Sequence, residues 1–217
     1  MAKTKKITAA YIIDHYMDMI VSLKAKPDSI EAFTSTLKID SAQFLEHFDS
    51  FEELDQEIIK ILFDTSVATL AESADYVSFS KKDKLLSLYY TFFENLTLNR
   101  DFILITIDSY GTIFSTISLF KTLKSSFTQF IDSLKLETLS LNIDTLENIQ
   151  KKSIKETAWV QLLLTIKFWT ADHSEACEKT DVFIEKSINT SVELLNTQSL
   201  HNIIDLGKFL YSEKFNS

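Results

Sequence analysis

Residues 39–54, IDSAQFLEHFDSFEEL, decide the fold of this chain. Two helix starts lie within the stretch. Asp40 with Gln43 and Ser50 with Glu53 each match the capping-box pattern, in which a cap side chain accepts from a backbone N–H and an acid or amide three residues on reaches back. A third such pair, Asp28 with Glu31, lies just upstream. Residues 28–54 therefore read as two very short helices and the start of a longer one, running from Phe51 to about Ala71. The stretch holds Asp40, Glu46, Asp49, Glu52 and Glu53, with Asp55 just beyond, and no Lys or Arg.

Working outward, the chain reads as helix after helix. Ile12, Ile13, Tyr16, Met17, Ile20 and Val21 recur at helical spacing over Ile7 to Leu23, before Pro27 and Asp28 break the pattern. Downstream, helices are predicted at Lys82 to Leu96, Asp101 to Ile107, Thr112 to Leu134, Thr145 to Ala171, Glu175 to Asn196 and Leu200 to Lys214, with a fourth capping pair at Asp144 and Glu147. Two Gly and one Pro in 217 residues leave little punctuation for hairpins. The fold class is all-α. A soft boundary near residue 50 divides a small N-terminal module, 1–50, from a larger helical domain, 51–217.

These residues carry a resemblance. Residues 33–54, FTSTLKIDSAQFLEHFDSFEEL, resemble the second and third helices and the start of the fourth in the tetracycline-repressor (TetR) family. Phe33 matches an apolar helix position, Ile39 the apolar position of the turn, Phe44 the buried position of the reading helix, and His47-Phe48 its close. Ile7 to Leu23 fits the family's first helix. KFWTADHSEACEKTDVFIEKSIN and SLHNIIDLGKFLYSEKF resemble the last helices of some bacterial members. The former is also similar, more weakly, to lipid-binding accessory proteins of ubiquinone biosynthesis.

The resemblance implies a helix-turn-helix that puts its third helix in the major groove and holds phosphates with cationic and hydroxyl side chains. Carried over, it implies DNA contacts from Lys38, Ser41, Gln43 and His47, with Lys3, Lys5 and Lys6 as a basic arm. Lys38 falls where the family has a turn glycine, and serves there only if the position does without positive φ or tolerates it. Leu45 and Phe51 replace a tyrosine and a lysine that commonly touch phosphate. From Asp28 to Glu57 there are nine acids and one base. The counterion release that drives phosphate binding is opposed there, so duplex DNA is a partner only against its own electrostatics.

The resemblance also implies a ligand-binding and dimerising C-terminal domain. Aromatic side chains are spread over four or five helices, and an elongated apolar pocket among them suits a fatty acyl, isoprenoid or aromatic compound. Tyr89, Phe93, Phe102 and Tyr110 are candidates for its lining, together with Phe114, Trp159 and Phe168. Pairing of two copies through the last long helices, an isologous contact, implicates Leu163, Phe168, Ile184, Ile188, Val192 and Leu195.

Other classes find little support. His173, Cys177 and Asp181 are spaced four apart, a weak metal pattern in a chain with one cysteine. There is no Gly-x-Ser-x-Gly elbow, zinc-protease motif or phosphate-cradling Gly loop. No enzyme, cofactor or metal is expected. No segment approaches a membrane span, and basic Lys3 to Lys6 lead into an amphipathic helix rather than a signal peptide. A cytoplasmic homodimer with a net charge of -9 is the expectation. Two functions remain: a ligand-responsive transcriptional regulator with a degenerate DNA-reading half, or a dimeric carrier, sensor or interaction module that keeps the fold without DNA.

Overall fold

A computed structural model describes residues 7–136 and 144–195, apart from the side chains of residues 113, 114, 144–147, 149, 194 and 195. The described residues are helical and contain no strand. The helices are α1 (Ala9–Leu23), α2 (Ile30–Leu37), α3 (Ser41–Leu45), α4 (Phe51–Glu72), α5 (Lys81–Leu98), α6 (Arg100–Ser109), α7 (Ile113–Leu119), α8 (Lys121–Ser133), α9 (Asp144–Thr170) and α10 (Glu178–Leu195). The chain forms two compact units, one from Met1–Ser66 with Glu94–Ser126 and the other from Val67–Phe93 with Phe127–Ser217.

The opening stretch folds as its caps dictate. Asp40 accepts from the Ala42 N–H at 2.9 Å, and the Gln43 carbonyl oxygen accepts from the Asp40 N–H at 3.1 Å, closing the capping box of α3. Ser50 accepts from the Glu53 N–H at 3.2 Å, while the Glu53 carboxylate reaches one residue further back, to the Asp49 N–H at 2.6 Å. Upstream, α2 starts one residue later than expected. Its cap is Ser29, which accepts from the Ala32 N–H at 3.1 Å, and not Asp28.

In the first unit, Ile12, Tyr16 and Ile20 of α1, Phe33 of α2, Phe44 of α3 and Ile58, Ile59 and Phe63 of α4 are all buried. Phe51 stacks on Tyr16 at 5.1 Å and meets Phe33 and Phe44 edge-on at 6.0 and 5.7 Å. Edge-to-face pairs of this kind add to area burial. An aromatic ring at the start of α4 thus packs against the core from its edge.

Two long helices of the sequence reading are broken. Thr112 to Leu134 divides at Phe120 into α7 and α8, because α4 competes for the backbone there. The Gln56 amide donates to the Ser118 carbonyl at 3.1 Å, and the Thr122 hydroxyl donates to the Gln56 carbonyl at 2.9 Å. Glu175 to Asn196 opens as a short 3-10 turn, with Ala176 and Cys177 at φ of 49° and 59°, and the α-helix begins at Glu178. Asp172 holds that turn, accepting from the Ser174 N–H and hydroxyl at 2.9 and 2.6 Å and from those of Thr180 at 2.8 and 2.7 Å. Burial opposes ionisation of Asp172, but these bonds from Ser174 and Thr180 together hold its carboxyl well below the usual range. Asp144 with Glu147 as a cap, and Leu200 to Lys214, lie outside the described side chains and residues.

The second unit has an aromatic core. Tyr89 lies 6.1 Å from Phe93 and 6.2 Å from Phe127, Phe127 lies 6.2 Å from Trp159, and Phe93 lies 6.5 Å from Trp169. Helix α10 packs on α9, where the Gln161 amide donates to the Ser187 hydroxyl at 3.2 Å, and its Ile184 and Ile188 are fully buried. Among the described residues no helix is long and apolar enough to cross a membrane.

Candidate nucleic-acid interface and its buried carboxylate

Helices α2 and α3 and their connecting turn present the residues expected to meet DNA. Lys38 ends α2 at φ 56°, so the turn does require the left-handed conformation, and a lysine adopts it. Its N–H bonds to the Ser35 carbonyl at 3.2 Å and the Ile39 N–H to the Thr34 carbonyl at 3.1 Å, which offsets the strain of a β-carbon there. The Ser41 hydroxyl pairs with that of Thr34 at 3.0 Å, and Gln43 is engaged in the cap. His47 contacts the Ile7 carbonyl through Nε2 at 3.1 Å, tying the turn after α3 to the residues just before α1. Lys3, Lys5 and Lys6 lie outside the described residues.

What α3 and its C-cap offer to solvent is therefore Ala42, Leu45 and Glu46, with Lys38 before them and Asp49 after them. Leu45 is half exposed. Between Ile7 and Glu57 the chain carries eleven acids and three bases. One of those bases, Lys26, turns inward.

Lys26 ends at a buried hub. Asp55, on the core side of α4, is fully buried, and three donors from three other segments converge on it. The Tyr16 hydroxyl of α1 donates to Oδ1 at 3.0 Å; the Lys26 ammonium, from the α1–α2 connection, donates to Oδ2 at 2.5 Å; the Tyr110 hydroxyl, at the end of α6, donates to Oδ2 at 3.1 Å. Lys26 also sits over the Tyr110 ring, 4.3 Å from its centroid, a cation–π contact. Gly111, at φ 68°, makes the turn that ends α6 beside Tyr110.

Burial pushes the Asp55 carboxyl above its ordinary range, against the opposing pull of Lys26, Tyr16 and Tyr110. Burial, then the charge of Asp55, pushes both Tyr16 and Tyr110 far above the ordinary phenol range, so each stays a donor. In the sequence Asp55 is only one more acid and Tyr110 a candidate for the ligand pocket. A signal was there: Asp55 stands three and four positions before Ile58 and Ile59, on the apolar face of α4, where an acid needs a partner.

The expected pocket residues fall in both units. Phe102 is buried in the first unit, 6.3 Å from Tyr16, and Tyr110 belongs to the hub. Tyr89, Phe93 and Trp159 lie in the aromatic core of the second unit. Phe168 is 38% exposed and stacks on Phe183 at 4.6 Å. The Phe114 side chain lies outside those described.

Of the expected pairing residues, Ile184 and Ile188 are covered by their own chain, Leu163 and Val192 are half-buried, and the Leu195 side chain is outside those described. Phe168, the remaining expected pairing residue, is 38% exposed and stands in line with Val160 and Leu164, which were not among those expected, recur with it every four residues on α9 and are 52% and 55% exposed. His173, Cys177 and Asp181 do not share a helix face, because the left-handed turn separates them. No group of three metal-binding side chains occurs among the described residues.

An all-α chain with three short N-terminal helices around an aromatic core, a long fourth helix and a larger helical remainder has the architecture of a TetR-like protein. The family described as "Tetracyclin repressor-like, C-terminal domain" matches residues 84–210, and the chain belongs to it. Compared with curated proteins, the chain has no match.

Proposed function

We propose that this protein is a cytoplasmic, homodimeric, non-enzymatic regulator of the tetracycline-repressor type. Residues 1–50 act as its helix-turn-helix module and 51–217 as its ligand-binding and dimerisation domain. An apolar or aromatic small molecule among Tyr89, Phe93, Trp159 and their neighbours biases the equilibrium between conformers that differ in DNA affinity. The Asp55 hub carries this reading. It fastens α1 and the α1–α2 connection to α4 and α6 through one carboxylate, so a displacement of α6 is felt where the reading helix is mounted.

DNA binding in this scheme is weak. Ser41 and Gln43 have internal partners, and Lys38 with the Lys3 to Lys6 arm supplies the cations. A second reading rests on the eleven acids facing three bases over residues 7–57. In it, the dimer senses or carries a lipid-like molecule and its acidic N-terminal face meets a protein instead.

Repeated selection from a random-sequence duplex pool, followed by sequencing, separates the two. A two-fold symmetric consensus, released by an apolar extract of the cells, supports the regulator. A pool that stays random at low salt sinks it and leaves the carrier.

A further inference from the structure

At the end of α8 and over the second and third turns of α9 the second unit has a hollow of about 350 Å³. Its walls combine two chemistries. Ile131 and Ile154 provide apolar surface, and Lys135, Lys151 and Lys155 provide three ammonium groups against one carboxylate, Asp132. Asp132 is paired with Lys155 at 3.0 Å. Among the described residues Lys135 and Lys151 make no ion pair, although the chain as a whole carries nine more acids than bases.

In a chain of that net charge, a hollow whose described lining sets three ammonium groups against one carboxylate attracts anions. Lysine acts towards a carboxylate or phosphate as a compact point charge, and its aliphatic stem covers apolar surface. The volume falls at the small end of the range for small-molecule sites, about 300–1,000 Å³. We propose that this hollow binds a small anionic amphiphile, its carboxylate or phosphate headgroup between Lys135 and Lys151 and the first part of its aliphatic tail on Ile131 and Ile154. The site is separate from the aromatic interior invoked above and does not depend on it.

Calorimetric titration of the full chain at low salt tests this. The probes are dodecanoate and dodecyl phosphate below their micelle concentrations, and inorganic phosphate alone. Both amphiphiles are expected to bind at one site per chain, and phosphate at least tenfold more weakly. The double variant K135E/K151E should weaken both amphiphiles by tenfold or more, K135Q/K151Q by less, and both variants should keep the wild-type thermal midpoint to within a few degrees. Amphiphile binding that is unchanged in K135E/K151E places the ligand elsewhere and overturns the proposal, while leaving an apolar interior site standing. No heat of binding up to millimolar amphiphile also overturns it, as does phosphate binding as tightly as dodecyl phosphate.

Discussion

Replacing Asp55 with alanine removes the acceptor shared by three donors, and its cost can be built from them. The Tyr16 hydroxyl is left buried without a partner, worth about 1–3 kcal/mol. Tyr110 and Lys26 are less enclosed and recover part of their solvation, adding about 1 kcal/mol between them. Asp55→Ala should therefore lower stability by about 3 kcal/mol. Asp55→Asn, which keeps one accepting oxygen, should lower it by about half of that. Lys26→Met does the opposite, leaving a buried carboxylate with two hydroxyl donors and no counter-charge, which costs about 3 kcal/mol near neutral pH.

The pH dependence distinguishes these variants. Asp55 has a folded pKa raised above the ordinary value of about 3.9. Such a group favours the fold fully below its unfolded pKa, and the advantage is lost as pH rises through the folded value. Losing Lys26 raises the folded value further, so the Lys26→Met penalty is largest near neutral pH and shrinks towards pH 4. Urea unfolding at fixed protein concentration, from pH 4 to 7.5, measures this. An Asp55→Ala cost under 0.5 kcal/mol, or a Lys26→Met cost that does not vary with pH, refutes the reading of the hub.

Three further outcomes are expected. Gln43→Ala opens the α3 capping box and should cost about 0.5–1 kcal/mol without weakening DNA binding, because the bond from the Asp40 N–H to its amide oxygen fixes that side chain back onto the cap; unfolding and filter binding together check both halves. Asp172→Asn should cost about 1–3 kcal/mol near neutral pH. The depressed carboxyl of Asp172 contributes stability that is present above about pH 4 and lost as pH falls, so the variant should converge on the wild type in acid; thermal unfolding against pH reads this. Val160→Glu with Leu164→Lys, on the exposed stripe of α9, should shift sedimentation from dimer to monomer with helical content unchanged, while Val182→Thr should leave it a dimer.

Much of the fold was legible because its signals are local. The caps at Asp40 and Ser50, the apolar spacing of Ile12, Tyr16 and Ile20, and the scarcity of Gly and Pro each act within a few residues. The breaks at Phe120 and Ala176 were not legible, since neither carries a helix breaker. The first follows from Gln56, sixty-two residues away in sequence, donating to the Ser118 carbonyl, and the second from Asp172, whose bonds from Ser174 and Thr180 bracket the left-handed Ala176 and Cys177. The candidate site divides in the same way. The acidic balance around the reading helix can be counted directly, whereas the partners of Asp55 come from residues 16, 26 and 110, which only the tertiary fold assembles. Ile184 and Ile188 show the limit of periodicity, which finds an apolar face without saying what covers it.

The central claim is that a DNA-reading module persists with few cations to hold phosphate. It is tested most directly by fluorescence anisotropy of the full chain with pooled genomic duplex fragments at 50 and 200 mM salt. With about two to four phosphate contacts, affinity should fall roughly ten- to a hundredfold between the two conditions. A fall of three decades or more would mean a full phosphate clamp that the acidic surface should not permit. No binding at 50 mM, with or without apolar extract, would contradict the regulator outright.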